Sequence, residues 1–167
     1  MTQAPGTLHL VQSFASTLGA AGGAADGADP LRAREDAAAW LRTADLLDNE
    51  AGLSNSEHAA LLRLREAIRD SLAAHTDGSA DADAAARLTR ALADGRLVIT
   101  VAPDSSTKLI SAARASYPCI VAAIAVAIAD ASAAGTWMRL KLCATAGCDQ
   151  IFYDDSPAVQ HCSAHAG

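Results

Sequence analysis

Apolar and polar residues alternate with the clearest helical period between residues 54 and 72. Apolar residues recur there at spacings of three and four: Leu61, Leu64, Ile68 and Leu72. Because such positions share one face of an α-helix, the stretch is predicted to be an amphipathic helix. Ser54 stands three residues before Glu57, which is the capping-box arrangement and marks the helix start.

The other faces of this helix carry charged residues: Arg63, Arg65, Arg69 and Asp70. Such residues usually form a solvated face, and that is the prediction here. A stripe facing DNA is the alternative, but Glu57, Glu66 and Asp70 dilute its positive charge.

Three further stretches are predicted to be helices. Residues 34–47 place Trp40 and Leu41 on one apolar face, and residues 82–92 form a helix that ends near Gly95. Residues 116–134 are apolar nearly all round, which is typical of a helix at the centre of a fold. The glycine-rich segment 19–30 is predicted to be a loop.

The period changes to that of β-strands at four short stretches. Residues 97–101 and 108–112 are rich in β-branched side chains and are predicted to form a hairpin. Residues 138–142 and 151–153 are predicted as short strands on either side of a cysteine pair. The fold class is therefore mainly α (α+β): a helical body at residues 1–136 with a small β-hairpin packed on it, and a C-terminal zinc-knuckle module at residues 137–167.

Composition and charge indicate the cellular compartment and the kinds of partner to expect. The 167 residues carry a formal net charge of −6, so the chain as a whole does not attract nucleic-acid phosphates. The longest apolar run, residues 118–129, is shorter than the roughly 20 residues that cross a bilayer. We therefore expect a cytoplasmic protein without a membrane partner, in which clustered cysteines bind metal rather than form disulfides.

Three of the four cysteines lie near the C-terminus and indicate a metal site. Cys143 and Cys148 bracket a four-residue turn between the predicted strands, and Cys162 follows in the next segment. For the fourth ligand of a structural zinc ion, His165 is favoured over His161, since it lies one helical turn after Cys162 whereas His161 is adjacent to it. The fourth cysteine, Cys119, is predicted to be a small buried hydrophobe.

A set of residues at this end of the chain carries a family resemblance: Arg139, Leu140, Lys141, Cys143, Cys148, Phe152, Tyr153, Asp154, Cys162 and Ser163. The pattern resembles the CGNR zinc finger. The preceding part is similar to the ABATE domain of stress-induced transcription regulators, on features that include Trp40-Leu41, the helix at residues 61–69 and the apolar helix before the finger. The resemblance implies a transcription regulator with a zinc finger as its contact to DNA or to a partner.

This chain departs from that finger in charge and in its last residues. The closing Cys-Gly-Asn-Arg is missing, with Gly167 at the position expected for its cysteine, so the motif is truncated or degenerate. Residues 139–167 hold two basic side chains against three acidic ones, a net charge of −1. We expect zinc to be retained and DNA binding by the chain alone to be weak, with a protein partner or homodimer supplying further basic surface.

Two other functions stay open. In the first alternative, the knuckle is purely structural and the protein binds a protein partner or small ligand without DNA. A zinc enzyme is the weakest candidate, because a zinc deaminase needs a His-x-Glu pair before its cysteines and none is present. The chain is therefore predicted not to be an enzyme.

Overall fold

The computed structural model describes residues 3–19, 29–113, 116–156 and 158–165. Most of the segment predicted as a glycine-rich loop, and Gly167, lie outside these ranges. The described part contains five α-helices: α1 (Leu8–Ala15), α2 (Arg34–Thr43), α3 (Asn55–Asp77), α4 (Ala82–Leu92) and α5 (Ser116–Ala133). About half of the residues are helical, and a Cys/His cluster lies near the C-terminus, so the predicted fold class is confirmed.

The longest helix, α3, follows directly from its capping signals. Ser54 and Glu57 form both halves of the capping box, with the Ser54 amide donating to Glu57 Oε2 at 2.7 Å. The helix ends at Gly78, whose φ of +65° is favourable only for residues that tolerate the left-handed region. Its apolar stripe of Leu61, Leu64, Ile68 and Leu72 is completely buried.

Two arginines of α3 show that the prediction of a solvated polar face was wrong. Arg65 is 4 % exposed and Arg69 5 % exposed, whereas Arg63 is exposed as expected. Arg65 donates from both terminal nitrogens to the carboxylate of Asp29, at 2.7 and 2.9 Å. The chain before α2 thus lies against this face and supplies the acceptors that make burial of a guanidinium tolerable.

The core forms where α1 and α5 pack against α3. Ile120, Val121 and Ile124 of α5 are completely buried, as is Phe14 of α1. Cys119, in contrast, is exposed, with its Sγ 3.4 Å from the Ala113 carbonyl oxygen, so its predicted burial was wrong. Because α5 is apolar nearly all round, its sequence does not reveal which side faces outward.

Two antiparallel hairpins complete the structure. β1 (Leu97–Val101) pairs with β2 (Thr107–Ser111), placing Ile99 opposite Leu109, and most of this hairpin is exposed. β3 (Leu140–Leu142) pairs with β4 (Ile151–Tyr153), placing Leu142 opposite Ile151. The predicted strand at 138–142 begins late, because residues Trp137–Arg139 form a turn of 3₁₀ helix. Among the described residues, none of the helices is long and apolar enough to span a bilayer.

Candidate metal centre

The β3–β4 hairpin positions the first two cysteines. Cys143 follows β3 directly, and its amide donates to the Gln150 carbonyl at 3.0 Å, which extends the ladder by one residue. The turn closes through the Cys148 amide, which donates to the Thr145 carbonyl at 2.9 Å. Gly147 adopts a φ of +77° within this turn. A short C-x4-C loop between two strands therefore brings both thiols to the same side.

The following segment adds a third thiol and an imidazole. The sulfur atoms of Cys148 and Cys162 are 3.8 Å apart. His165 Nδ1 lies 3.7 Å from Cys143 Sγ and 3.3 Å from Cys162 Sγ. All four ligand atoms lie within 4.8 Å of one another. The four residues, called the Cys3His cluster below, are close enough together to bind one metal ion.

The two candidate histidines lie in different places. The His165 amide donates to the Cys162 carbonyl at 2.8 Å, and this single turn carries the imidazole back to the cluster. His161 is exposed, and its Nδ1 lies 3.2 Å from the hydroxyl of Thr145. His161 is thus outside the cluster, whereas its neighbour Cys162 is inside.

Backbone amides favour the thiolate form of Cys143. Burial alone would raise its pKa, but hydrogen bonds from the Cys162 and Thr145 amides, together with the side chains of Thr145 and Cys148, outweigh burial and lower the pKa to about 5. The Cys162 amide lies 3.4 Å from Cys143 Sγ. Burial together with the neighbouring thiols instead raises the pKa of Cys148. Amides aimed at one sulfur stabilise negative charge there, as a metal-binding thiolate requires.

The inner face of the hairpin belongs to the core of the helical body. Leu140, Ile151 and Tyr153 are buried with the residues of α1, α3 and α5. The outer face forms a separate small cluster, in which Phe152 is buried with Cys143 and Cys162. The two strands therefore connect the helical core on one side to the Cys3His cluster on the other.

Polar side chains of α3 fasten the same hairpin to the helix. The imidazole Nδ1 of His75 lies 2.9 Å from the Leu140 carbonyl oxygen, and the Thr76 hydroxyl donates to the Leu142 carbonyl. Arg69 donates to the carboxylate of Asp149 at 2.9 Å and to carbonyls at the end of α1. These contacts place α3 directly under the residues that flank Cys148.

Sequence reasoning missed these contacts, although one signal for the burial of the arginines was available. Arg65 lies four residues after Leu61 and three before Ile68, and therefore inside the apolar stripe of α3. An arginine within an apolar stripe is as consistent with a buried guanidinium that is bound to an acceptor as with a guanidinium in solvent.

The two basic residues beside the cluster are both engaged. Lys141 is 1 % exposed, and its Nζ donates to the Val159 carbonyl at 2.7 Å. Arg139 forms an ion pair of 3.0 Å with Asp155. Burial lowers the pKa of Lys141 although Asp154 acts in the opposite direction. Within residues 139–142, the cluster is therefore not bordered by an exposed, unpaired lysine or arginine.

Fold and cluster together define a mainly helical protein with a C-terminal Cys3His cluster suited to a metal ion. The family model ABATE, described as "Putative stress-induced transcription regulator", matches residues 8–135. That match covers most of the chain, and the protein belongs to this family. A search of curated proteins found no match. The Cys3His cluster lies C-terminal to the residues that match the family model.

Proposed function

We propose that this protein is a transcription regulator whose C-terminal module is held together by one structural zinc ion. The family supports the regulatory function, since the ABATE match spans residues 8–135. The observation that carries the zinc assignment is the convergence of Cys143, Cys148, Cys162 and His165. We further propose that residues 1–136 form the regulatory body and residues 137–167 the zinc module.

The ligand set fits zinc in both chemistry and size. Three thiols and one imidazole are soft and borderline ligands, a combination typical of structural zinc sites. With metal–sulfur distances of about 2.3 Å and a metal–nitrogen distance of about 2.0–2.1 Å, tetrahedral ligand atoms lie roughly 3.6–3.8 Å apart. Three of the six separations in the cluster, 3.8, 3.7 and 3.3 Å, are close to these values, and all six are within 4.8 Å.

A structural role follows from the number of ligands. Catalytic zinc keeps one position for water or substrate, whereas four protein ligands complete a tetrahedron. With all four residues bound, the ion would link the end of β3, the turn before β4 and the final segment. We therefore propose that the zinc ion at this site is structural and that the site is not catalytic.

The proposal is tested by metal analysis together with chromatin immunoprecipitation from cells that express the tagged chain. We expect about one zinc per chain, and enrichment of the protein at discrete promoter regions. A metal-free protein in which the thiols of Cys143, Cys148 and Cys162 react as readily as that of the exposed Cys119 would contradict the zinc centre. Uniform recovery of genomic DNA would contradict the regulatory function.

Replacement of His165 by alanine should weaken zinc binding more than the same change at His161. His165 Nδ1 lies within 3.7 Å of two sulfurs, while His161 contacts the Thr145 hydroxyl instead. Loss of one ligand from four should lower the affinity on the order of a hundredfold. A competition titration with a chromogenic chelator measures this, and equal effects of the two changes would refute the assignment of His165.

The purified chain alone should bind duplex DNA weakly. Lys141 is buried and Arg139 is paired with Asp155, so the module offers few side chains to phosphates. Each phosphate contact adds about 0.9 to the salt dependence of binding, and a slope below about 2 is expected. A gel-shift assay at about 150 mM salt should show no specific complex. Sequence-specific binding by the chain alone would contradict this, whereas promoter enrichment without such binding would indicate a partner.

A further inference from the structure

A cleft with a volume of about 510 Å³ opens between α3, α4 and the start of α5. Its apolar lining includes Leu62, Ala67 and Ala91, and residues of the Cys3His cluster do not line it. The volume lies within the range of pockets that hold small molecules. The cleft is therefore separate from the proposed zinc centre and large enough for a ligand of its own.

The charged side chains that line the cleft are only partly paired with one another. Three guanidinium groups and three carboxylates border it: Arg63, Arg87, Arg90, Glu66, Asp70 and Asp94. Arg87 and Asp70 pair with each other at 3.0 Å, and Glu66 lies 3.4 Å from Nε of Arg65. Within the described ranges Arg63 and Arg90 have no ion-pair or hydrogen-bond partner, and of the three carboxylates only Asp94 is likewise unpaired. The lining is therefore neutral in formal charge, but two guanidinium groups and one carboxylate stay outside these pairs, and Glu66 shares Arg65 with Asp29.

Tyr117 supplies an independent indication of a ligand. Its side chain is 6 % exposed and lines the cleft, yet its hydroxyl has no hydrogen-bond partner in the part of the chain that the structure describes. Buried tyrosines normally satisfy this group. Among the described residues, the fully enclosed side-chain polar atoms without a hydrogen bond are Ser16 Oγ, Arg42 Nε and Arg65 Nε, and the Tyr117 hydroxyl is not one of them. It therefore keeps access to the cleft.

The hydroxyl is a donor at neutral pH. Burial, with Asp94 and Glu57 acting in the same direction, raises the pKa of Tyr117 to about 12, although Arg63 opposes this. Arg63 and Asp94 line the same cleft as Tyr117. A protonated phenol and two unpaired guanidinium groups all donate hydrogen bonds, and an anion is the group that accepts them.

We propose that this cleft binds a small organic anion with an apolar body. Arg63 and Arg90 hold the anionic group, and Tyr117 donates a hydrogen bond to it. The apolar part of the ligand lies against Leu62, Ala67 and Ala91. This binding site is independent of the zinc proposal, since none of its residues belongs to the Cys3His cluster.

The test uses the full chain and two carboxylate probes, benzoate and octanoate, in isothermal titration calorimetry. At least one of them should bind saturably with a Kd on the order of 1 mM, which is typical for ligands of this size. The neutral counterparts, benzamide and octanamide, should bind at least about fivefold more weakly, because they lack the charge that the guanidinium groups hold.

Three variants locate the binding site. Arg63→Gln and Arg90→Gln should each weaken carboxylate binding about fivefold or more, and Tyr117→Phe about threefold. The control is Arg34→Gln, which removes another exposed guanidinium, one that pairs with Glu35 on α2 and does not line the cleft. A thermal melt of each variant shows that the fold is retained.

Three results would overturn the proposal. They are the absence of saturable binding of both carboxylates up to about 20 mM, equal binding of the neutral amides, and equal loss with Arg34→Gln and Arg63→Gln. Zinc content, measured on the same samples, should not change with any of the cleft variants. Failure of ligand binding is thus distinguishable from failure of the zinc centre.

Discussion

Replacing Cys143 with serine should remove zinc from the purified protein. Cys143 is buried at the end of β3, and its sulfur is the one that receives the Cys162 amide. Structural zinc sites contribute about 10–16 kcal/mol in small peptides, so losing one ligand of four should cost roughly 3 kcal/mol, or on the order of a hundredfold in affinity. After dialysis against a weak chelator, metal analysis should find about one zinc in the parent protein and almost none in the variant.

The loss should loosen the C-terminal module and leave the helical body folded. The body keeps the buried stripe of α3 and the packing of α5, which do not depend on the metal. Amide hydrogen exchange should therefore accelerate in residues 143–165 while protection is retained in α3. Exchange that accelerates along all of α3 would show instead that the metal supports the whole fold.

Cys119 provides the matched control for this prediction. It is an exposed cysteine on α5 and lies outside the Cys3His cluster. Cys119→Ser should retain both the zinc and the exchange pattern. Equal zinc loss in the two variants would refute the assignment of Cys143 as a ligand.

Local signals were sufficient to predict most of the helices. The capping box at Ser54 fixed the start of α3, and residues 82–92 were predicted with the bounds that α4 has. These features depend on residues close together in sequence, and the same physics acts in the folded chain. Residues 34–47 were less accurately predicted, since α2 ends at Thr43 and Asp45 adopts a φ of +56°.

The candidate site could be predicted because its geometry is also local. Cys143 and Cys148 lie on one turn, and His165 follows Cys162 by one turn, so spacing alone indicates which side chains converge. The packing of α3 beneath the module is different. Asp149 lies 80 residues from Arg69, and the pair forms only because the fold brings the two segments together.

The buried arginines show where sequence reasoning reached its limit. Whether Arg65 faces water or protein depends on whether another segment covers that side of α3. The covering partners, Thr17 and Asp29, lie on either side of a glycine-rich stretch without a hydrophobic pattern. Pattern and period contain no information about where such a segment packs.

Replacing Asp29 with alanine should lower the free energy of unfolding by about 3 kcal/mol. The carboxylate makes two hydrogen bonds to a guanidinium whose side chain is 5 % exposed. Removing one partner of a buried pair typically costs about 3–5 kcal/mol, and Arg65 would keep only the exposed Glu66 carboxylate, 3.4 Å from its Nε, as a countercharge. The lower part of that range applies because the Thr17 hydroxyl, 3.2 Å from Arg65, remains as an acceptor. Urea unfolding at pH 7 measures the loss.

Asp70→Ala is the matched control, because Asp70 also pairs with an arginine of the helical body. Its pair with Arg87 has a nitrogen–oxygen distance of 3.0 Å, but both side chains are nearly half exposed, so a loss below about 1 kcal/mol is expected. Equal losses in the two variants would refute the claim that burial makes the Asp29 pair important for stability.

The effect of Asp29→Ala should also depend on pH in a defined direction. Burial by itself would raise the pKa of Asp29, but the hydrogen bonds from Arg65 and from the Leu31 amide prevail and lower it. A carboxyl group whose pKa is lower in the folded state stabilises the fold above its unfolded pKa of about 3.9, and this contribution is lost as the pH falls through the folded value. The difference between parent and variant should therefore be constant from pH 7 to about pH 5 and shrink below about pH 4. A difference that grows on acidification would mean that the carboxylate form of Asp29 is not the form that the fold stabilises.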